Sequence, residues 1–249
     1  MTRLRTHVVR SPGEVVAHFD RAAAHYHEAH GPAEQLLAYR LAVIRDLLAG
    51  ANNGTLLEIG CGPASHLLAL AGEFDAAVGT DASTEMISVA IEAAAASPWS
   101  ERVSLRVDPA ETLASVGDAG VDVVLCVGAL EHMVDRPGVI RQVRRVLRPH
   151  GRFVCLTPNG GHWWYRWLAP LLRRDTRHLS TDRFLTADEL RGMVRAAGLD
   201  VVSCGHWCFV PRRDLPGAVA PLVRAGEWAG DRLRIGWLQG GLAVAAVKK

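Results

Sequence analysis

The stretch from Leu56 to Leu68, Leu-Leu-Glu-Ile-Gly-Cys-Gly-Pro-Ala-Ser-His-Leu-Leu, changes its period in the middle, and that change constrains the fold more than any other feature. Up to Ile59 it is a short apolar run of the kind that fills a strand buried in a sheet. After Pro63 the apolar residues Leu67, Leu68 and Leu70 recur at helical spacing. The turn between them is Gly60-Cys61-Gly62. A strand, a tight glycine turn and a helix start bring backbone N–H groups to the carboxyl end of a sheet strand, where the missing Cβ lets a ligand come close.

The neighbours of this turn narrow the ligand. A dinucleotide site wants a third glycine three residues after the second, for close helix packing around a pyrophosphate. Ser65 stands there instead, and Glu58, two residues before the first glycine, would repel a pyrophosphate. A cationic ligand meets no such repulsion. A second apolar segment ends in Val78-Gly79-Thr80-Asp81-Ala82-Ser83, which puts Asp81 at the distance where an acidic side chain takes a ribose diol. Together these residues call for a nucleoside that carries positive charge and no phosphate. They argue against an NAD-dependent oxidoreductase.

These motifs resemble the nucleotide-binding half of the class I methyltransferases that use S-adenosylmethionine (SAM). Three further stretches, Leu130-Glu131-His132-Met133, Leu147-Arg148-Pro149-His150-Gly151-Arg152 and Phe184-Leu185-Thr186-Ala187-Asp188-Glu189-Leu190, are similar to the ubiquinone-biosynthesis-type O-methyltransferases and their small-molecule relatives. The resemblance spans roughly residues 15–210. It implies that Gly60 and Gly62 line the methionine end of SAM, that Asp81 binds the ribose hydroxyls and that Ala82 and Met86 border the adenine, with Glu58 and Val127 completing the set. It implies that Arg40 meets the carboxylate of SAM in a charge-assisted pair, a solvated helix arginine being the alternative. Tyr26 is the candidate contact of an N-terminal cap, or else an aromatic that anchors a helix. Asp108 and Glu111 are both candidates for the adenine amino group, and either could cap the next helix. In the ubiquinone-type enzymes a glutamate three positions before the Glu-His pair belongs to a divalent-metal site. Gly128 occupies that place here, so no required metal is expected.

At 249 residues and 49% hydrophobic the chain can bury one large core. Residues 1–249 are expected to form one methyltransferase domain: a Rossmann-like, doubly wound α/β sheet of seven strands, mostly parallel with an antiparallel last strand. Residues 1–50 would supply a mobile tail (1–13) and cap helices. Strands are expected near 55–60, 76–80, 102–107, 121–127, 152–157, 200–206 and 241–248, and helices near 64–73, 84–96, 137–148 and 186–198. Such alternation places ligands beyond the strand carboxyl ends at the switch point. With 28 basic and 26 acidic residues the formal charge is only +2, which gives no field for nucleic acid. Five cysteines, mostly in or beside strands, read as buried thiols of a reduced, cytoplasmic protein, and Cys204 and Cys208 lack a second pair for zinc. No segment has the length of a membrane span or a signal peptide core.

Methyl transfer from a sulfonium is an in-line displacement, so the protein must align nucleophile, methyl and sulfur. If the acceptor is a hydroxyl or phenol, a base must take its proton, and histidine suits that task near neutral pH. His132, directly after the fourth strand, is the first candidate; His178, just before the Phe184 stretch, is the second, and His162 ranks behind both. Two inserts, 158–183 and 209–235, are expected on the substrate side. The first carries His162-Trp163-Trp164-Tyr165-Arg166-Trp167-Leu168 and reads as a hydrophobic lid for a small, partly hydrophobic acceptor. Its alternative is weak contact of residues 162–174 with a membrane surface. O-methylation of a quinone-like or secondary metabolite is the expected activity. N- or C-methylation, or SAM binding without turnover, are the alternatives, and the oligomeric state is open.

Overall fold

The computed structural model describes residues 7–9, 11–23, 33–173, 176–177, 179–209 and 219–249. At its centre is Val121–Val127, β4 of the chain, all seven residues of which are buried. The strands in chain order are β1 (Thr55–Ile59), β2 (Ala76–Asp81), β3 (Val103–Val107), β4, β5 (Leu147–Pro158), β6 (Leu199–Trp207) and β7 (Gly241–Lys248). They form one sheet in the order β3-β2-β1-β4-β5-β7-β6. β7 runs antiparallel to both β5 and β6, and the remaining pairings are parallel. This is the expected seven-stranded doubly wound sheet. β5 starts earlier than expected because Leu147 already pairs with Val121.

The helices are α1 (Pro12–Ala22), α2 (Ala33–Leu48), α3 (Ser65–Leu70), α4 (Thr84–Ala95), α5 (Arg136–Val146), α6 (Ala169–Leu171), α7 (Ala187–Ala196) and α8 (Ala220–Leu233). Their starts are written locally. Ser83 accepts the Met86 N–H at the head of α4, Asp135 accepts the Gly138 N–H at the head of α5, and Thr186 with Glu189 forms a capping box on α7. Each strand sends neighbouring residues to opposite faces, which divides the core in two. Leu57, Val124 and Phe153 pack under α5 and α7 with Val139, Val143 and Leu190. Leu56, Val123 and Val154 pack on the other face with Ile44 of α2 and Leu67 of α3.

Three features differ from expectation. Residues 7–9 are pinned to the body: His7 bridges Leu179, the Ser180 N–H donates to the His7 carbonyl (3.0 Å), and the Val9 N–H donates to Ser180 Oγ (2.9 Å). Burial of Val9 gives that segment its hold. The second insert contains a full helix, α8, with Pro221 in its first turn, where a missing N–H costs nothing. The first insert, a π-helical turn (Trp164–Leu168) that runs into α6, packs its aromatics against α8. Trp164, Ala169 and Val223 make a third, small core there, flanked by Trp163, Tyr165 and Leu168.

Candidate active site

A cavity of about 350 Å³ opens at the carboxyl ends of β1 to β4. Its floor is the turn after β1. Gly60 (φ +61°) and Gly62 (φ +51°) take the left-handed conformation that favours glycine. A Cβ on Gly60 would stand 2.6 Å from the Ala129 Cβ, so this turn and the one after β4 approach as closely as backbone allows. Glu58 lies beneath the floor rather than in the wall. One of its carboxylate oxygens accepts the Leu67 N–H (2.9 Å) and the other stands 3.3 Å from His66 Nδ1. It thereby does for α3 what Ala64, a left-handed residue without a capping side chain, cannot.

Asp81 ends β2 at the cavity's edge. Its two oxygens accept the N–H groups of Gly62 and Ser83, both at 2.9 Å. Burial pushes its carboxyl up from the ordinary value, these two bonds pull it back, and the nearby Asp20 and Glu58 carboxylates add an upward push. Ala82 and Met86 line the wall beside it, as do Pro109, Ala110 and Glu111 after β3. Asp108 does not reach the cavity: its carboxylate turns inward to the Ala114 and Ser115 N–H groups and the Ser115 hydroxyl. Of the two candidates for the adenine side, only Glu111 is in the wall.

The roof is α1, which contributes Val15, Val16 and Phe19. Asp20 fastens it by accepting the Ser83 hydroxyl (2.6 Å) at the head of α4. The Phe19 ring meets His132 edge to face, with centroids 5.1 Å apart. His132 lies in the wall after β4, on a single 3₁₀ turn, Leu130–His132. Its Nδ1 is 2.7 Å from Asp182 Oδ1. Burial pushes the imidazole pKa down. The Asp182 bond and the charges of Glu131 and Asp182 outweigh it, and the net shift is upward from the ordinary value.

Gly60, Gly62, Asp81, Ala82, Met86, Glu111 and His132 therefore converge on one cavity under the expected helical cap, and the structure adds Asp182 behind His132. Val127 sits one residue short of the wall, in the core beneath Gly128. Arg40 is placed elsewhere. α2 packs over β5 and β7, and the Arg40 guanidinium lies 5.7 Å and 5.8 Å from the Trp207 and Phe209 ring centroids, not among the described lining residues. Tyr26 and His178 lie outside the described residues. None of the described residues of the aromatic insert lines this cavity; with Gly160, Tyr165 and Phe184 the insert borders a second hollow of about 290 Å³. Among the described residues no three His, Cys, Asp or Glu side chains stand close enough to share a metal ion. Glu131, the expected neighbour in such a site, is buried against the Thr157 hydroxyl (3.0 Å).

The charged groups of the described lining are Asp81, Glu111 and His132, with no lysine or arginine. Two carboxylates with no lysine or arginine among the described lining residues suit hydroxyls and a sulfonium better than a phosphate. Fold and site thus define a Rossmann-like protein with a ligand cavity at its strand ends. A protein-family model described as a methyltransferase domain matches residues 33–204. Over 225 residues the chain is 32% identical to a ubiquinone biosynthesis O-methyltransferase of Cereibacter sphaeroides (strain ATCC 17025 / ATH 2.4.3), a match covering 80% of this chain and 87% of the relative. The chain belongs to the SAM-dependent methyltransferases. Solved structures of like fold include the [4+2]-cyclase SpnF (TM-score 0.70, 18% identity, 100% of this chain and 99% of that one). Another is a geranyl diphosphate C-methyltransferase from Streptomyces coelicolor A3(2) (TM-score 0.63, 14% identity, 96% of this chain and 99% of that one). At these identities the likeness is one of fold, and a cyclase and a C-methyltransferase in one set show that the fold alone does not name a reaction.

Proposed function

We propose that the protein methylates a hydroxyl oxygen of a small, partly hydrophobic phenol, with SAM as donor and His132 as base. The observation that carries this reading is the position of His132 in the wall of the cavity that holds Gly60, Gly62 and Asp81. SAM supplies an electrophilic methyl on a sulfonium. Asp81 would take the ribose hydroxyls, Gly60 and Gly62 would border the methionine end, and Ala82 and Met86 the adenine. His132 accepts the hydroxyl proton as the oxygen–methyl bond forms and the sulfur–methyl bond breaks, which leaves S-adenosylhomocysteine and an ether. The apolar side chains of α1 exclude water from the line of transfer. The ubiquinone biosynthesis relative supports oxygen as the acceptor atom and a quinone-like phenol as the acceptor class.

The insert carries a second, smaller part of the reading. Trp167, Leu171 and Leu172 are exposed next to Arg166 and Arg173, a composition suited to weak contact with a lipid surface where an apolar acceptor would be found. The experiment for the main reading is transfer of labelled methyl from SAM to catechol, hexylcatechol and protocatechuate. His132→Ala is expected to lose roughly a hundredfold in turnover with S-adenosylhomocysteine affinity retained. Turnover equal to the parent's would remove His132 from the chemistry.

A further inference from the structure

Two loops 50 positions apart in the chain meet at the His132 ring, and both are stapled to the same arginine. Arg136, buried at the head of α5, donates from Nε to the Leu130 carbonyl (3.1 Å) and from Nη2 to the carbonyls of Glu131 (2.5 Å) and Thr181 (3.0 Å). The Arg183 N–H donates to the Glu131 carbonyl at 3.1 Å. The turn that carries His132 and the loop that carries Asp182 are thus joined through backbone, independently of either side chain. Asp182 is 4% exposed. One of its oxygens accepts the Leu179 N–H (2.8 Å), which aims the other at His132 Nδ1. The next residue after Leu179 is Ser180, whose hydroxyl and N–H hold the segment 7–9 that leads into the α1 roof.

An ionised carboxylate can only accept, so the proton of this contact belongs to Nδ1. A neutral imidazole then has its lone pair on Nε2, the tautomer that a base needs if its other nitrogen is already spoken for. We infer that Asp182 is a positioning residue for His132: it holds the ring in the Nδ1–H tautomer and stabilises the imidazolium that forms when the acceptor's proton arrives. This rests on the reading of His132 as base. The bond forming is N–H at Nε2 and the bond breaking is O–H of the acceptor; Asp182 keeps its charge throughout and exchanges no proton.

Three charged groups among the described residues act on the ring. Glu131 comes from its own turn, Asp182 from the 179–183 loop and Arg136 from α5, while α1 presents the Phe19 ring with His18 meeting it edge to face. Glu131 and Arg136 are opposite in charge and in their push on His132, and it is Asp182 that stands in hydrogen-bond contact with Nδ1, at 2.7 Å. Asp182→Asn is nearly isosteric and leaves the Arg136 and Arg183 staples in place, so the loop keeps its path.

The test is a long-range proton–nitrogen correlation spectrum of the histidine rings in the full chain bound to S-adenosylhomocysteine, with His132→Ala used for assignment. His132 is expected to show the Nδ1–H tautomer and to titrate above the usual histidine value. In Asp182→Asn it should titrate roughly one to three pH units lower, with the tautomer mixed. Asp182→Glu should restore the tautomer. Turnover of hexylcatechol should fall about as far in Asp182→Asn as in His132→Ala, with no further loss in the double variant. A His132 ring in the Nε2–H tautomer, or one that titrates alike in the parent and Asp182→Asn, overturns the inference. A ring that behaves as expected while His132→Ala keeps full turnover would instead sink the base assignment and leave the bond standing.

Discussion

The strand-end cavity and the annex formed by the aromatic insert with α8 solve burial in opposite ways. Around the cavity the buried carboxylates have partners: Glu58 has the Leu67 N–H and His66, Asp81 has two N–H groups, Asp182 has His132 and the Leu179 N–H, while the Thr80 and Thr181 hydroxyls are left without one. In the annex, His162 stands 3.5 Å from Glu227, both are buried, and the indole nitrogens of Trp163 and Trp164 carry no hydrogen bond. Several large apolar side chains there face outward, Trp228 at 71% exposure and Trp167 at 56% among them. The first region is built on hydrogen-bonded carboxylates; the second, apart from Glu227 and its Gly240 N–H, on shape and apolar area. One should be sensitive to single polar atoms and the other to volume.

That contrast can be broken from both sides. Trp164→Ala should cost about 3–5 kcal/mol of stability by emptying the third core, while S-adenosylhomocysteine affinity per folded molecule stays within about twofold, read by denaturant titration and calorimetry. Asp81→Ala should do the reverse. Loss of the carboxylate proposed to meet the ribose hydroxyls should weaken S-adenosylhomocysteine by about 3 kcal/mol, roughly a hundredfold, with a smaller change in unfolding.

The buried pair in the annex supplies a pH test. Burial raises Glu227 to about 7 and lowers His162 to about 4, with the Gly240 N–H, Asp231 and the Cys208 thiol also facing the carboxylate. A raised carboxyl is fully tolerated below its unfolded pKa and loses stability as pH rises through its folded value. A lowered histidine loses stability as pH falls through its own folded value. Between these limits the two slopes oppose each other in the parent. Glu227→Gln removes one of them. Relative to the parent it should gain stability from about pH 4.5 upward, reaching about 3 kcal/mol above pH 7. A difference that stays flat with pH would mean Glu227 is not held protonated. The smallest effect belongs to Trp167→Ser: within about 0.5 kcal/mol in stability, yet with reduced sedimentation on anionic phospholipid vesicles.

The sequence announced the sheet because its strands are short, apolar and punctuated, as Val121–Val127 and Leu56–Ile59 are. That Gly60, Gly62 and Asp81 would meet at the strand ends was legible because a tight turn after one strand needs glycine at fixed places and the next strand ends in the aspartate. α8 stayed hidden, since Pro221, Gly226 and Gly230 read as breakers and Leu222 and Trp228 point outward. The helix forms because Val223 and Glu227 find burial against the distant insert. Asp182 was invisible for a related reason: Ser180-Thr181-Asp182 reads as an ordinary turn, and only the fold brings it to His132. Arg40 was assigned from a spacing in relatives, and the packing of α2 over β5 and β7 turns it to Trp207 and Phe209 instead.

The proposed ligand of the cavity after β1 and β2 is a nucleoside that carries no phosphate. Thermal unfolding of the full chain with S-adenosylhomocysteine, and separately with NAD, tests it most directly. At a hundredfold excess over its dissociation constant the former should add about 2.7 kcal/mol, a rise of roughly 5–10 °C for a domain of this size, and NAD should add nothing. No rise with S-adenosylhomocysteine, or a rise with NAD in its place, would contradict the account.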